Sequence, residues 1–212
     1  MTAHNQSRAI DNELLRRHSG KAANRIIRES VQDIANNIQK GDLIENGGHH
    51  MLVYRNLQSF RQIYSEYAAV SLPENEIVLL ATQYEAIETV RANLVARGVD
   101  VAKHLKDGTL FIVDAQQGYS AGDIEGTFKL ALTLAARAKK EMRRGFTWLG
   151  DMGSFFAFEN IADMMDYELS RPQKYENIMK TVCCYHEQDF ATLPERQRKA
   201  LFDHHYKSIV IM

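Results

Sequence analysis

Apolar positions along the chain change their period once. Ile10 and Leu14, then Ile27, Val31, Ile34 and Ile38, recur at alternating steps of four and three between Ser7 and Lys40, the spacing of one helical face. That stripe is narrow and is flanked by Arg8, Arg16, Arg17, Arg25 and Arg28. It predicts an N-terminal helical segment, interrupted at Ser19-Gly20, that docks on its own domain or forms a dimer seam. After Gly41 short apolar runs alternate with amphipathic stretches. The runs His50 to Tyr54, Ile77 to Ala81, Leu110 to Asp114, Phe146 to Gly150, Val182 to Tyr185 and Ser208 to Ile211 predict strands. Between them, Leu57, Phe60, Tyr64 and Tyr67 mark a helix, and Ile87, Val90 and Leu94 a second that Gly98 should end. Ile124, Phe128, Ala131, Ala135, Ala138 and Met142 mark a third, closed by Gly145. A fourth runs from about Glu159 to Ser170, and a fifth begins near Pro194.

Short strands without polar alternation are buried on both faces, which calls for a parallel sheet covered by helices. The predicted fold is therefore α/β, a three-layer, doubly wound, mainly parallel sheet of about six strands. Residues 1–40 form the helical segment and 41–212 the sheet domain. The chain of 212 residues, 45% apolar and 25% charged, is long enough for one substantial core. Its net charge is −1, with +3 in residues 1–40, so direct nucleic-acid binding is not expected. No apolar run spans a bilayer and no signal-peptide stretch opens the chain, so a cytoplasmic location without membrane partners is expected. The two cysteines, Cys183 and Cys184, are adjacent and form no disulfide framework.

Ligands of such sheets lie at the carboxyl ends of the strands. A phosphate-cradling turn after the first strand needs glycines and usually a lysine. The chain offers Tyr54-Arg55-Asn56-Leu57-Gln58-Ser59-Phe60, with no glycine between Gly48 and Gly98 and no lysine between Lys40 and Lys103. ATP hydrolysis through a P-loop is not expected.

The stretches His49-His50-Met51-Leu52-Val53-Tyr54, Glu76-Ile77-Val78-Leu79-Leu80 and Gly98-Val99-Asp100-Val101 through Asp107-Gly108-Thr109-Leu110-Phe111-Ile112-Val113-Asp114 stand in a telling order. With the turn Gly150-Asp151-Met152-Gly153-Ser154 and the strand Cys183-Cys184-Tyr185, this order resembles the MEDS family, sensory domains named from methanogens, methylotrophs and the DcmR regulator. The resemblance covers about Gly41 to Met212 and implies a sensory role. It also implies descent from KaiC-type ATPases, a RecA-like fold without its phosphate loop. Gly48, Met51, Asp151 and His186 stand where that family commonly has Asp, Cys, Glu and an acid, so the ligand of this chain need not match that of its relatives.

Strand ends place Tyr54 and Arg55, Thr82 and Gln83, Asp114 and Gln116, Gly150, Asp151 and Met152, and Tyr185 with His186 around one candidate ligand site. Arg55 suits a carboxylate or phosphate, or simply a surface ion pair. Asp114 and Asp151, if on neighbouring strands, form a carboxylate pair; otherwise each caps a helix. Trp148, Met152, Phe155, Phe156 and Phe158 make the fourth turn unusually apolar, as core packing or as the wall of a small-ligand pocket. Neighbouring residues of a strand face opposite ways, so neither His49-His50 nor His204-His205 can offer both rings to one metal. Cys183, Cys184 and His186 are an alternative metal or redox set, although no spaced zinc signature is present. No nucleophile elbow or catalytic dyad is found, and no cofactor is indicated. The expected function is a non-catalytic sensory module for a small molecule, signalling through a homo-oligomer or a partner protein. The rival readings are a nucleotide-binding ATPase relative, a metal sensor and a purely structural interaction domain.

Overall fold

The computed structural model describes residues 25–41, 43–116, 124–175 and 178–212. Seven strands form one sheet: β1 (Arg25–Glu29), β2 (His49–Tyr54), β3 (Glu76–Thr82), β4 (Leu110–Asp114), β5 (Gly145–Asp151), β6 (Met179–His186) and β7 (Lys207–Ile211). Their order is β1-β7-β2-β6-β5-β3-β4, and every neighbouring pair is parallel. All six predicted strands are present, extended by one to four residues or unchanged.

The helices are α1 (Val31–Gln39), α2 (Leu57–Ser71), α3 (Ile87–Ala96), α4 (Val101–Lys106), α5 (Ile124–Lys140), α6 (Gly153–Ala157), α7 (Ile161–Ser170), α8 (Glu187–Thr192) and α9 (Glu195–His204). Strand alternation sorts the side chains into two cores. Leu52, Tyr54, Val78, Leu80, Val182 and Cys184 pack against Ile34, Phe60, Ile63, Val90 and Val101, from α1 to α4. Met51, Val53, Leu79, Trp148, Cys183 and Tyr185 pack against Leu134, Phe155, Met164, Phe190 and Leu201, from α5 to α9. The sheet is thus the middle of three layers.

Several local readings need correction. Arg25–Glu29 is an edge strand paired with β7, where the helical period had carried through it. An edge strand is paired on one side only, so it tolerates arginine and glutamate where a central strand would not. The helix starts after it, with Ser30 as its N-cap accepting the Asp33 N–H. The expected helix before Arg25 lies outside the described residues. The fourth predicted helix is α7 and the fifth is α9, whereas the short helices α4, α6 and α8 have no counterpart in the sequence reading. Gly145 opens β5, while Met142 turns the chain out of α5 at φ +51°. Gly98 does end α3: at φ +90° it lets Val99 N–H reach back to the Leu94 carbonyl.

α1 is integral to the core, because Ile34 is fully buried against the first helical layer. Ile34→Ala is expected to cost about 2–5 kcal/mol, read from denaturant unfolding. A cost under about 0.5 kcal/mol would show that α1 only rests on the surface.

Candidate functional site

The strand order places the site. The connection from β2 leads toward β3, and that from β6 leads the other way, to β7, although β2 and β6 are neighbours. β3 and β5 part outright, with β3 leading outward to β4 and β5 back to β6, whereas the connections from β2 and β6 cross on opposite faces of the sheet. Crevices open at such points, above the carboxyl ends of the strands. Tyr54, His186, Asp151 and Thr82 end those four strands.

Asp151 is wholly buried. Its Oδ1 accepts the Gly153 N–H at 3.0 Å, and its Oδ2 accepts the Gln83 N–H and the Tyr54 hydroxyl, each at 3.3 Å. Among the described residues no lysine or arginine forms an ion pair with it. Burial therefore dominates and pushes its pKa up to about 7, while the hydrogen bonds from Gly153, Gln83 and Tyr54 pull the other way. At neutral pH this carboxyl sits between donor and acceptor.

Around it, the Tyr54 ring stacks on Phe60 at 4.5 Å and meets His186 edge-on at 5.2 Å. Ser154 Oγ donates to the side-chain oxygen of Gln83. Tyr84, half-exposed, lies over the turn: a Cβ on Gly153 would come within 2.5 Å of its ring, so any larger residue there would push the ring aside. Its hydroxyl donates to Asp189 on α8. A half-exposed tyrosine thus covers a buried acid and ties that cover to the next helix.

The structure brings Tyr54, Gln83, Gly150, Asp151, Met152 and His186 to this edge, with Thr82 bonded to the Glu85 carbonyl beside it. Arg55 is exposed at the rim. Asp114 and Gln116 stand apart: β3 lies between β4 and β5, so Asp114 is not beside Asp151, and the expected carboxylate pair does not form. Asp114 instead accepts the Gln116 N–H at 2.8 Å. Tyr185 points into the second core, against Phe190. After β2, the Asn56 side chain accepts the Ser59 N–H at 2.9 Å, capping α2 with the chain's own oxygen. Sequence reading did not assign Tyr84, Ser154 or Asp189 to the site; they lie in the turn after β3, on α6 and on α8, beyond the strand ends.

Cys183, Cys184 and His186 do not converge. Cys184 faces the first core and Cys183 the second, and His186 caps α8 at the carboxyl edge. Cys183 Sγ instead lies 3.3 Å from His49 Nε2, in a buried group with Glu168 of α7 and His205 at the end of α9. Each histidine pair divides, His49-His50 by strand alternation and His204-His205 at the end of α9: His50 Nε2 turns to the Glu45 carbonyl and His204 Nε2 to that of Arg171. Burial lowers the His49 pKa to about 4, so its ring is neutral at physiological pH.

The apolar turn is mainly core, with Trp148, Met152 and Phe155 buried and Phe158 exposed. Trp148, Gly150 and Met152 also wall a cavity of about 10 Å³ beside His49 and Cys183, room for one water. A larger cavity, about 240 Å³, lies at the opposite edge of the sheet and is lined by Tyr67, Glu76 and Lys180. No described helix is long and apolar enough to cross a membrane.

No curated protein matches the chain. A family model, the methanogen/methylotroph, DcmR sensory domain, matches residues 48–205, from the residue before β2 to the end of α9. The matched span takes in the carboxyl edge, its cover and the second core, and the chain belongs to the MEDS family of sensory domains.

Proposed function

We propose that the chain is a non-catalytic sensory module whose small-molecule site is the carboxyl edge around Asp151. The observation that supports this reading is a wholly buried acid with no lysine or arginine partner among the described residues, at the parting of strand connections, under the half-exposed Tyr84. A buried carboxyl held near neutrality can accept a hydrogen bond from, or donate one to, a ligand that displaces water and the Tyr84 ring. Such a ligand is small and carries a hydroxyl or amino group. Its entry breaks the Tyr84 bond to Asp189 and frees α8, which leads through α9 to β7. A homo-oligomer or a partner protein then reads that change.

Calorimetric titration with a panel of small alcohols, diols and amines tests the proposal. At least one should bind the wild type and bind Asp151→Asn at least ~10-fold more weakly, the cost of an altered buried hydrogen-bond pair. Equal affinity in both proteins for every binder found would refute the assignment of the site. Gly153→Ala leaves Asp151 intact but puts a methyl where Tyr84 lies. Its expected effect is a fall in the Asp151 pKa from about 7 toward the ordinary range, as water reaches the carboxyl, followed by carboxyl-carbon NMR.

A further inference from the structure

Four ligand-type side chains from distant parts of the chain meet beneath α7 and α9. His49 Nε2 lies 3.3 Å from both Cys183 Sγ and Glu168 Oε2, and His205 Nε2 lies 2.9 Å from the same Oε2. All four ligand atoms fall within 4.8 Å of one another, and His49, Glu168 and His205 are at most 1% exposed. With metal bonds of about 2.0–2.3 Å, tetrahedral ligand atoms stand about 3.3–3.8 Å apart. The separations, from 2.9 Å to at most 4.8 Å, bracket those of a coordination shell and reach it with small side-chain shifts.

Proton placement points the same way. His205 Nδ1 lies 2.7 Å from the Leu201 carbonyl, which can only accept, so the proton of the neutral ring is on Nδ1. Nε2 then turns a lone pair toward a carboxylate oxygen. Among the described residues neither oxygen of Glu168 nor His205 Nε2 makes an aligned hydrogen bond, although all are buried and the Cys183 thiol and Tyr185 hydroxyl lie close to the carboxylate. Two acceptors in such a place call for a cation between them, and a histidine oriented through a backbone carbonyl is the usual support of a metal ligand.

We propose that His49, Glu168, Cys183 and His205 bind one divalent transition metal of the zinc type. Two neutral imidazoles, a carboxylate and a thiolate balance its two positive charges and suit its borderline softness. Binding releases one proton to solvent, that of the Cys183 thiol, and involves no change of oxidation state. The site is separate from the Asp151 edge, since Cys183 faces the second core and Asp151 bonds to Tyr54 of the first.

The test uses the full chain made without a histidine tag. Elemental analysis should find about one zinc per chain, and cobalt(II) added to stripped protein should give tetrahedral d–d bands with a thiolate charge-transfer band. In Cys183→Ser the charge-transfer band should vanish while the d–d bands persist, and His205→Ala should weaken cobalt binding by more than about 100-fold. The wild-type cobalt spectrum needs no variant to fold. Folded wild type that holds no stoichiometric metal as isolated and gives no thiolate band with cobalt would overturn the proposal. So would a charge-transfer band that survives Cys183→Ser.

Discussion

Replacing Lys180 with methionine is expected to cost the domain about 3 kcal/mol, because it strands a buried carboxylate. Lys180 Nζ lies 2.6 Å from Glu76 Oε1, and both side chains are at most 5% exposed. The second oxygen of Glu76 accepts from the Tyr67 and Thr147 hydroxyls, each at 3.2 Å. Burial alone would discharge the lysine, but Tyr67 and Glu76 outweigh it and raise its pKa, so the pair is ionic. Breaking a buried pair usually costs about 3–5 kcal/mol, and the 240 Å³ cavity beside it lets water soften the loss toward the lower figure. Pairing Lys180→Met with Glu76→Gln should recover most of it, since a neutral amide replaces the stranded charge. Chemical denaturation of both variants checks this. A single variant as stable as the wild type would show that the pair contributes nothing.

A comparable effect is expected from Asp151, with pH as the variable. An unfolded aspartate releases its proton near pH 4, whereas the native carboxyl keeps it to about 7. The native state therefore holds a proton that the unfolded chain has lost across that window. The stabilisation is complete below about pH 4 and is lost as pH rises through about 7, a total of about 4 kcal/mol. His49 and His50, whose pKa values burial lowers to about 4, act in the opposite direction, adding stability as pH rises toward 6.5. The wild-type curve alone thus mixes the two. The difference between wild type and Asp151→Asn isolates the carboxyl, and it should fall by about 4 kcal/mol from pH 4 to pH 8. A flat difference would mean that Asp151 is ionised throughout.

The central strands were legible because each has a short apolar run at its heart, the composition that burial on both faces favours, although polar residues such as Glu76 and Lys180 are buried at their amino ends. β1 was not, since Ile26 and Ile27 sit among arginines and a glutamate, and the helical period of Val31, Ile34 and Ile38 extends back over them. Only pairing with β7, at the far end of the chain, makes those residues a strand. Strand order is likewise a property of the whole sheet, which is why the sequence left open whether Asp114 stands beside Asp151; β3 separates them. At the carboxyl edge, chain logic found the strand-end residues but not their cover, because Tyr84 and Asp189 meet only through folding. The metal-type group left no local signature: its members come from β2, α7, β6 and the end of α9. What could be read was its negative half, that strand alternation splits His49 from His50. The other half needed the helices to bring Glu168 and His205 over Cys183.

The measurement closest to the central proposal is native mass spectrometry of freshly purified wild type and Asp151→Asn. The wild type should carry a small organic molecule in excess of any metal ion, and the variant, equally folded, should lack it. Identical masses in the two proteins, with the same excess or none, would contradict a ligand site built on Asp151.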